Sequence, residues 1–320
     1  MKVGSLFSGY GGLDLAVERH FNAETVWHAE WEDAPSKVLA HRWPGVPNFR
    51  DVTQVDWSSV EPVDIITGGF PCQDVSMAGK RAGMVEGTRS NLWGAMRTAV
   101  ETIRPRYVVA ENVRGLLSAT AQSDSDLELD QGFMGDGSAL NLRAIGRVLG
   151  DLADIGYDAQ WYGLRAADIG APHGRYRVFI LATDATTAPY AAHDRYERGE
   201  QVRSLSSRLG SQSLGKANSS KPCSFEKVSS RTAWGAYETA IRRWEAITGR
   251  PVPEPTEPAG RDGKPQLSAK FTEWMMGLDE GWVTDVPGVS RAQKIKMCGN
   301  GVVPQQALAA LQHMTSAMLD

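Results

Sequence analysis

Over residues 2–182, short β-branched apolar runs alternate with segments of helical spacing, and this alternation limits the possible folds more than any other feature of the chain. The runs "KVGSLFS" (2–8), "ETVWHAE" (24–30), "VDIITGG" (63–69), "RYVVAEN" (106–112), "YDAQWYGL" (157–164) and "YRVFILA" (176–182) read as strands. Between them, "LDLAVERHF" (13–21), "DAPSKVLAHRW" (33–43), "NLWGAMRTAVETI" (91–103) and "LNLRAIGRVLGDLADIG" (140–156) read as helices. In the third of these, Leu92, Met96, Ala99, Val100 and Ile103 share one face. Strands joined through helices predict an α/β class with a mostly parallel, doubly wound sheet covered on both faces. In such sheets ligands bind beyond the carboxyl ends of the strands.

The pattern stops after Ala182. Residues 184–265 are rich in Ser, Arg, Pro and Gly, with one convincing helix at 233–247 and an irregular stretch at 248–265. A helix returns at 303–319, with Pro304 in its first turn and Leu308, Leu311, Met314 and Met318 as its stripe. The expected organisation is a larger unit at 1–183, a smaller one at 184–265, and a segment at 266–320 that returns to the first. Net charge is −4 with a pI near 5.9, yet residues 194–250 hold eleven basic against six acidic side chains. A local basic surface on an acidic protein can hold phosphates. Three cysteines without CxxC spacing predict neither a disulfide framework nor a zinc site, and fit a reducing cytoplasm. No run of 18 apolar residues predicts a membrane span, and the N-terminus lacks the features of a signal peptide.

Chemistry-bearing residues fall at the strand ends. Gly9, Gly11 and Gly12 form a turn between the first strand and the first helix, where the backbone can approach a ligand. The spacing is not the GxGxxG dinucleotide fingerprint. Glu30 ends the second strand, where an acid can accept from ribose hydroxyls, and Trp31 can pack on an adenine. Together they point to a nucleoside-containing cofactor, against a bland reading as a tight turn and a surface glutamate. Asp51, in "FRDV", is a candidate for the adenine amino group or else a loop cap.

Cys72 follows "VDIITGGFP", at a carboxyl end, on a backbone fixed by Pro71 and cleared by Gly68 and Gly69. A thiol held so suits nucleophilic attack, although a lone cysteine is more often an inert small residue. Glu111 closes an apolar strand, where desolvation would raise its pKa and let it donate a proton. Arg175 and Arg177 are two apart, so on a strand they would share a face, free to grip a carbonyl and a phosphate or to hold Glu111.

In this order the elements resemble the DNA cytosine-5 methyltransferases. "LFSGYGG" is similar to that family's cofactor turn, "GGFPCQDVS" to its Pro-Cys motif, "ENV" (111–113) to its glutamate motif and "HGRYR" (173–177) to its Gln-x-Arg-x-Arg, with His173 in place of glutamine. "QLSAKFTEWMMGLDEGW" (266–282) and "CGNGVVPQQAL" (298–308) resemble its ninth and tenth motifs, with Gly301 where many members carry serine. The resemblance implies a Rossmann-like S-adenosylmethionine-dependent fold with a target recognition domain at 184–265. It implies Cys72, Glu111, Arg175 and Arg177 as catalytic residues acting on a flipped cytosine. It places Phe7, Gly9, Gly11, Gly12, Glu30, Trp31, Asp51, Pro71, Asn300 and Gly301 around S-adenosylmethionine. Gln73, Ser76, Lys80, Arg81 and Arg89 would meet the DNA. Double-stranded DNA is the implied partner, bound by a monomer; a cognate restriction endonuclease would share its site without forming a complex. A transfer-RNA methyltransferase of the same fold and an inactive DNA-binding scaffold are the alternatives. A nicotinamide dehydrogenase would leave the Pro-Cys without a use.

Overall fold

The computed structural model describes residues 1–71, 92–117, 120–121, 142–186, 234–258 and 264–319. Six strands form the main sheet: β1 (Lys2–Leu6), β2 (Glu24–Ala29), β3 (Ile65–Gly68), β4 (Tyr107–Val113), β5 (Tyr157–Arg165) and β6 (Tyr176–Asp184). Their order is β2-β1-β3-β4-β6-β5. β1 to β4 are mutually parallel, whereas β6 runs antiparallel to both of its neighbours. The sequence predicts the strands; the reversal of β6 is a finding of the structure.

Helices cover both faces. On one lie α3 (Leu92–Ile103) and α4 (Ala144–Asp154); on the other lie α1 (Gly12–Phe21) and α8 (Pro304–Leu319). The period of two along each strand sorts the side chains. Ile66, Val108, Ala110, Val178 and Ile180 pack with Met96, Val100, Val148 and Leu152. Ile65, Val109, Phe179 and Leu181 pack with Leu13, Val17, Ala307, Leu311 and Met314. Near the sheet edge Gly4 lies so close to Trp27 that a Cβ would overlap the indole.

A third cluster joins Tyr10 and Val38, the latter on α2 (Asp33–Arg42), to α5 (Glu238–Thr248), α6 (Ala269–Met275) and α7 (Arg291–Asn300). Trp244 of α5 is fully buried and donates its indole N–H to Trp274 O at 2.9 Å. That packing places α5 with the sheet. The chain divides into Met1–Ala185 with Trp234–Asp320, and Thr186–Ala233. The second unit therefore ends before α5, not at residue 265 as the composition predicts. Beside α6, the buried Glu273 accepts from the backbone N–H groups of Gly281, Val283 and Thr284 at 2.6–2.8 Å and so fixes the 281–284 loop. α7 is mostly polar, with only Met297 and Cys298 buried, and starts at a capping box between Ser290 and Gln293. Around residues 122–141, the flanking pairs Thr120–Ala121 and Leu142–Arg143 form a short antiparallel ladder.

Candidate active site

The ends of β1, β3 and β4 meet the start of β6. Because β6 is antiparallel, Arg177 pairs in register with Val113 and reaches the same rim at which the parallel strands finish. Arg177 Nε stands 2.6 Å from Glu111 Oε1, with both side chains largely buried. Burial pushes the Glu111 pKa up, while Arg177 and then Arg175 pull it back. Desolvation and the two guanidinium groups thus act on this carboxyl in opposite directions.

Gly69 opens this corner. A Cβ there would lie 3.3 Å from Glu111 Oε2 and 3.9 Å from Phe7 O, so three strand ends converge within one small volume. Asn112, buried beside Glu111, donates to Phe70 O at 2.9 Å and accepts from Val113 N at 2.8 Å. It thereby pins the backbone that leads into Pro71. Phe70 itself is buried against Trp93 at 4.9 Å between ring centres. Cys72, Gln73, Ser76, Lys80, Arg81 and Arg89 lie outside the described residues.

Around the glycine turn, Glu30 is buried and accepts from Gly9 N at 2.9 Å and Glu32 N at 2.7 Å. Burial raises its pKa against the pull of those two N–H groups. Phe7 and Gly9 both have positive φ, 52° and 56°, and no atom lies within 4 Å of a Cβ built on Gly9. Gly11, at φ 83°, is covered by Trp43, and Gly12 lies against Val302 O and the Tyr10 ring. Trp31 is 58% exposed and lines a cleft of about 300 Å³ with Glu32, Arg50 and Lys296. Asp51 Oδ1 accepts from the backbone and hydroxyl of Thr53 at 3.0 and 2.7 Å, so its loop-capping role is realised. Open backbone at Gly9 beside a buried carboxylate and an exposed indole fits the ribose and base of S-adenosylmethionine.

Arg175 departs from the sequence expectation. It precedes β6 and donates to the carbonyls of Gly299, Asn300 and Gly301 at 2.6, 3.0 and 2.6 Å. Period-two spacing is no guide to a residue outside the strand. His173 Nε2 lies 3.0 Å from Met275 O, tying this turn to α6. Tyr10, which no sequence signal marks, is buried and donates its hydroxyl to Val302 O at 2.6 Å.

The chain is 33% identical over 188 residues to the Type II methyltransferase M.NgoFVII of Neisseria gonorrhoeae, covering 58% of this chain and 44% of that protein. To M.MspI of Moraxella sp it is 27% identical over 311 residues, 93% of this chain and 66% of the relative. Thus it spans about half the length of the first of these. Among solved structures, a mutant form of DNMT2 from Spodoptera frugiperda matches with TM-score 0.58 at 15% identity, covering 97% of this chain and 98% of that one. A prophage-encoded putative DNA modification methyltransferase from E. coli matches with TM-score 0.55 at 17% identity over the whole of both chains. The fold is therefore the Rossmann-like methyltransferase fold that the alternating pattern and the motifs predict. The profile of C-5 cytosine-specific DNA methylases matches residues 1–316, and the chain belongs to that family.

Proposed function

We propose that this protein methylates cytosine at C5 in double-stranded DNA, using S-adenosylmethionine. The observation that carries the reading is the convergence of Glu111, Arg177, Gly69 and Phe7 O at one rim of the sheet, directly before Pro71 and Cys72 in the chain. Bound there, the cofactor supplies an activated methyl group. Phe7, Gly9, Glu30, Trp31, Asp51, Pro71 and Asn300 would hold it, with Glu30 on the ribose hydroxyls.

The remaining chemistry belongs to the chain. The Cys72 thiolate attacks C6 of an everted cytosine and so makes C5 nucleophilic. Glu111, its carboxyl pKa raised by burial, hydrogen-bonds N3 and stabilises the electron density that the attack delivers to the ring. Arg177 orients the base through its carbonyl while its charge steadies Glu111. Once C5 carries the methyl group, loss of its proton and release of the thiolate restore aromaticity. Eversion is required because C6 is unreachable inside the stack. Residues 186–233 and the adjoining basic positions are proposed to read the DNA sequence, and the protein is proposed to work as a monomer in the cytoplasm.

Transfer of label from methyl-tritiated S-adenosylmethionine to duplex DNA tests the reading, followed by bisulfite sequencing to place the methyl group. Wild type is expected to label cytosine and Cys72→Ala to label nothing. Labelling of transfer RNA alone would refute the DNA assignment. Equal labelling by both proteins would refute the nucleophile.

A further inference from the structure

Residues 299–302 of the C-terminal segment lie against the strand-end rim. Gly299 and Asn300 close the last turn of α7 and α8 has not begun, so these carbonyls lack helical partners. All four are nevertheless taken. Arg175 Nη1 donates to Gly299 O at 2.6 Å, and its Nη2 to Asn300 O at 3.0 Å and Gly301 O at 2.6 Å. The Tyr10 hydroxyl donates to Val302 O at 2.6 Å. Two side chains from distant parts of the sequence satisfy four consecutive acceptors.

The surroundings make the joint stiff. The Tyr10 ring is buried between Gly12 and Gly301, and a Cβ on either glycine would collide with it. Gln306, fully buried, donates to the Arg175 carbonyl at 3.0 Å and to Leu164 O at 2.8 Å, which locks the backbone from which the guanidinium projects. Arg175 Nε is sealed from solvent. A cation is favoured at the carbonyl end of a helix, and the planar guanidinium presents five donors in a fixed fork that reaches separated acceptors.

We propose that Arg175 and Tyr10 form a carbonyl clamp that fixes residues 299–302 against the glycine turn, making Arg175 a positioning residue for the cofactor pocket and not a ligand of the target base or its phosphate. The two ends of the clamp matter differently. Tyr10 sits in the turn whose Gly9 N–H is held by Glu30. Arg175 is two residues from Arg177, which holds Glu111. One short stretch of chain therefore connects the cofactor side to the base side. The cofactor part of this inference rests on the proposed function; the clamp itself does not.

The test uses the full chain as wild type, Arg175→Lys, Tyr10→Phe and the double variant. Arg175→Lys keeps the charge but cannot span three carbonyls, and Tyr10→Phe removes only the hydroxyl. The first readout is hydrogen exchange without cofactor, at the Gly301 amide, which is bonded to Met297 O at 2.8 Å. Each single variant is expected to exchange about tenfold faster there, the weight of one lost hydrogen bond. The second is the Kd for S-adenosylhomocysteine by calorimetry. It is expected to rise about tenfold in each single variant, and by less than the product in the double, while affinity for duplex DNA stays unchanged. Unaltered exchange with unaltered cofactor affinity, and a loss confined to turnover or DNA affinity, would overturn the clamp. If wild type binds no S-adenosylhomocysteine while exchange still responds to both substitutions, the clamp is upheld and the cofactor assignment fails.

Discussion

His28 gives the protein an acid weakness whose size follows from its surroundings. It lies on β2, is 1% exposed, and packs edge-on against Trp43 at 5.3 Å between ring centres. Neither ring nitrogen has a hydrogen-bond partner among the described residues. Burial lowers its pKa from 6.5 to about 4, because an imidazolium there would have no solvent and no partner. The folded state thus prefers the neutral ring. The stability this provides is complete above pH 6.5 and is lost as pH falls toward 4. A proton that binds the unfolded chain near pH 6.5 but the folded chain near pH 4 removes about 2 kcal/mol by pH 5 and about 3 kcal/mol once both states are protonated. His28→Phe abolishes that titration and keeps a flat ring against Trp43. Any packing cost of the larger ring is independent of pH and drops out of a difference between two pH values. Urea unfolding of both proteins at pH 8 and pH 5 should show wild type losing about 2 kcal/mol more than the variant. Equal losses would mean that His28 reaches solvent or a partner, and the argument from burial would be wrong.

Asp14 should act in the opposite direction: it is buried, accepts from Ser5 and Thr67 at 2.8 and 2.6 Å, and burial raises its pKa from 3.8 to about 7. Its contribution is complete below pH 3.8 and lost as pH rises through 7, so Asp14→Asn should flatten a decline of up to about 4 kcal/mol in unfolding titrations between pH 4 and 8. Glu111→Gln is expected to cut methyl transfer by a factor of about 10² to 10⁴ in single-turnover assays while calorimetry finds cofactor affinity within about twofold of wild type. Gly4→Ala forces a methyl into the Trp27 indole and should cost about 1–3 kcal/mol in thermal unfolding, with cofactor affinity preserved.

The inner strands are legible because they are apolar and β-branched enough to be buried on both faces, as Ile65–Gly68 shows with all four residues inside. Direction is not legible: "YRVFILATD" reads the same whether it runs with or against β4, and only register with Val113 brings Arg177 to Glu111. The acid and the base-side arginine of the candidate site follow from local sequence, since both occupy strand ends. Arg175 does not, because its acceptors lie more than a hundred positions away in a turn without apolar pattern. α7 escapes for a related reason, as a polar helix whose stability comes from its cap and from two buried side chains. Tyr10 and Gly301 are visible only as a pair: the ring occupies the space that a serine side chain at 301 would need.

The bond from Tyr10 to Val302 joins residues 292 positions apart, and α1 packs on α8 across a similar interval. A chain emerging from the ribosome can assemble β1 to β4 early, yet its glycine turn has no back wall until the tenth motif has cleared the exit tunnel. Such long-range closure slows folding. It also means that a partly synthesised chain, already carrying Cys72 and Glu111, lacks the contact that closes its glycine turn until translation has passed residue 302.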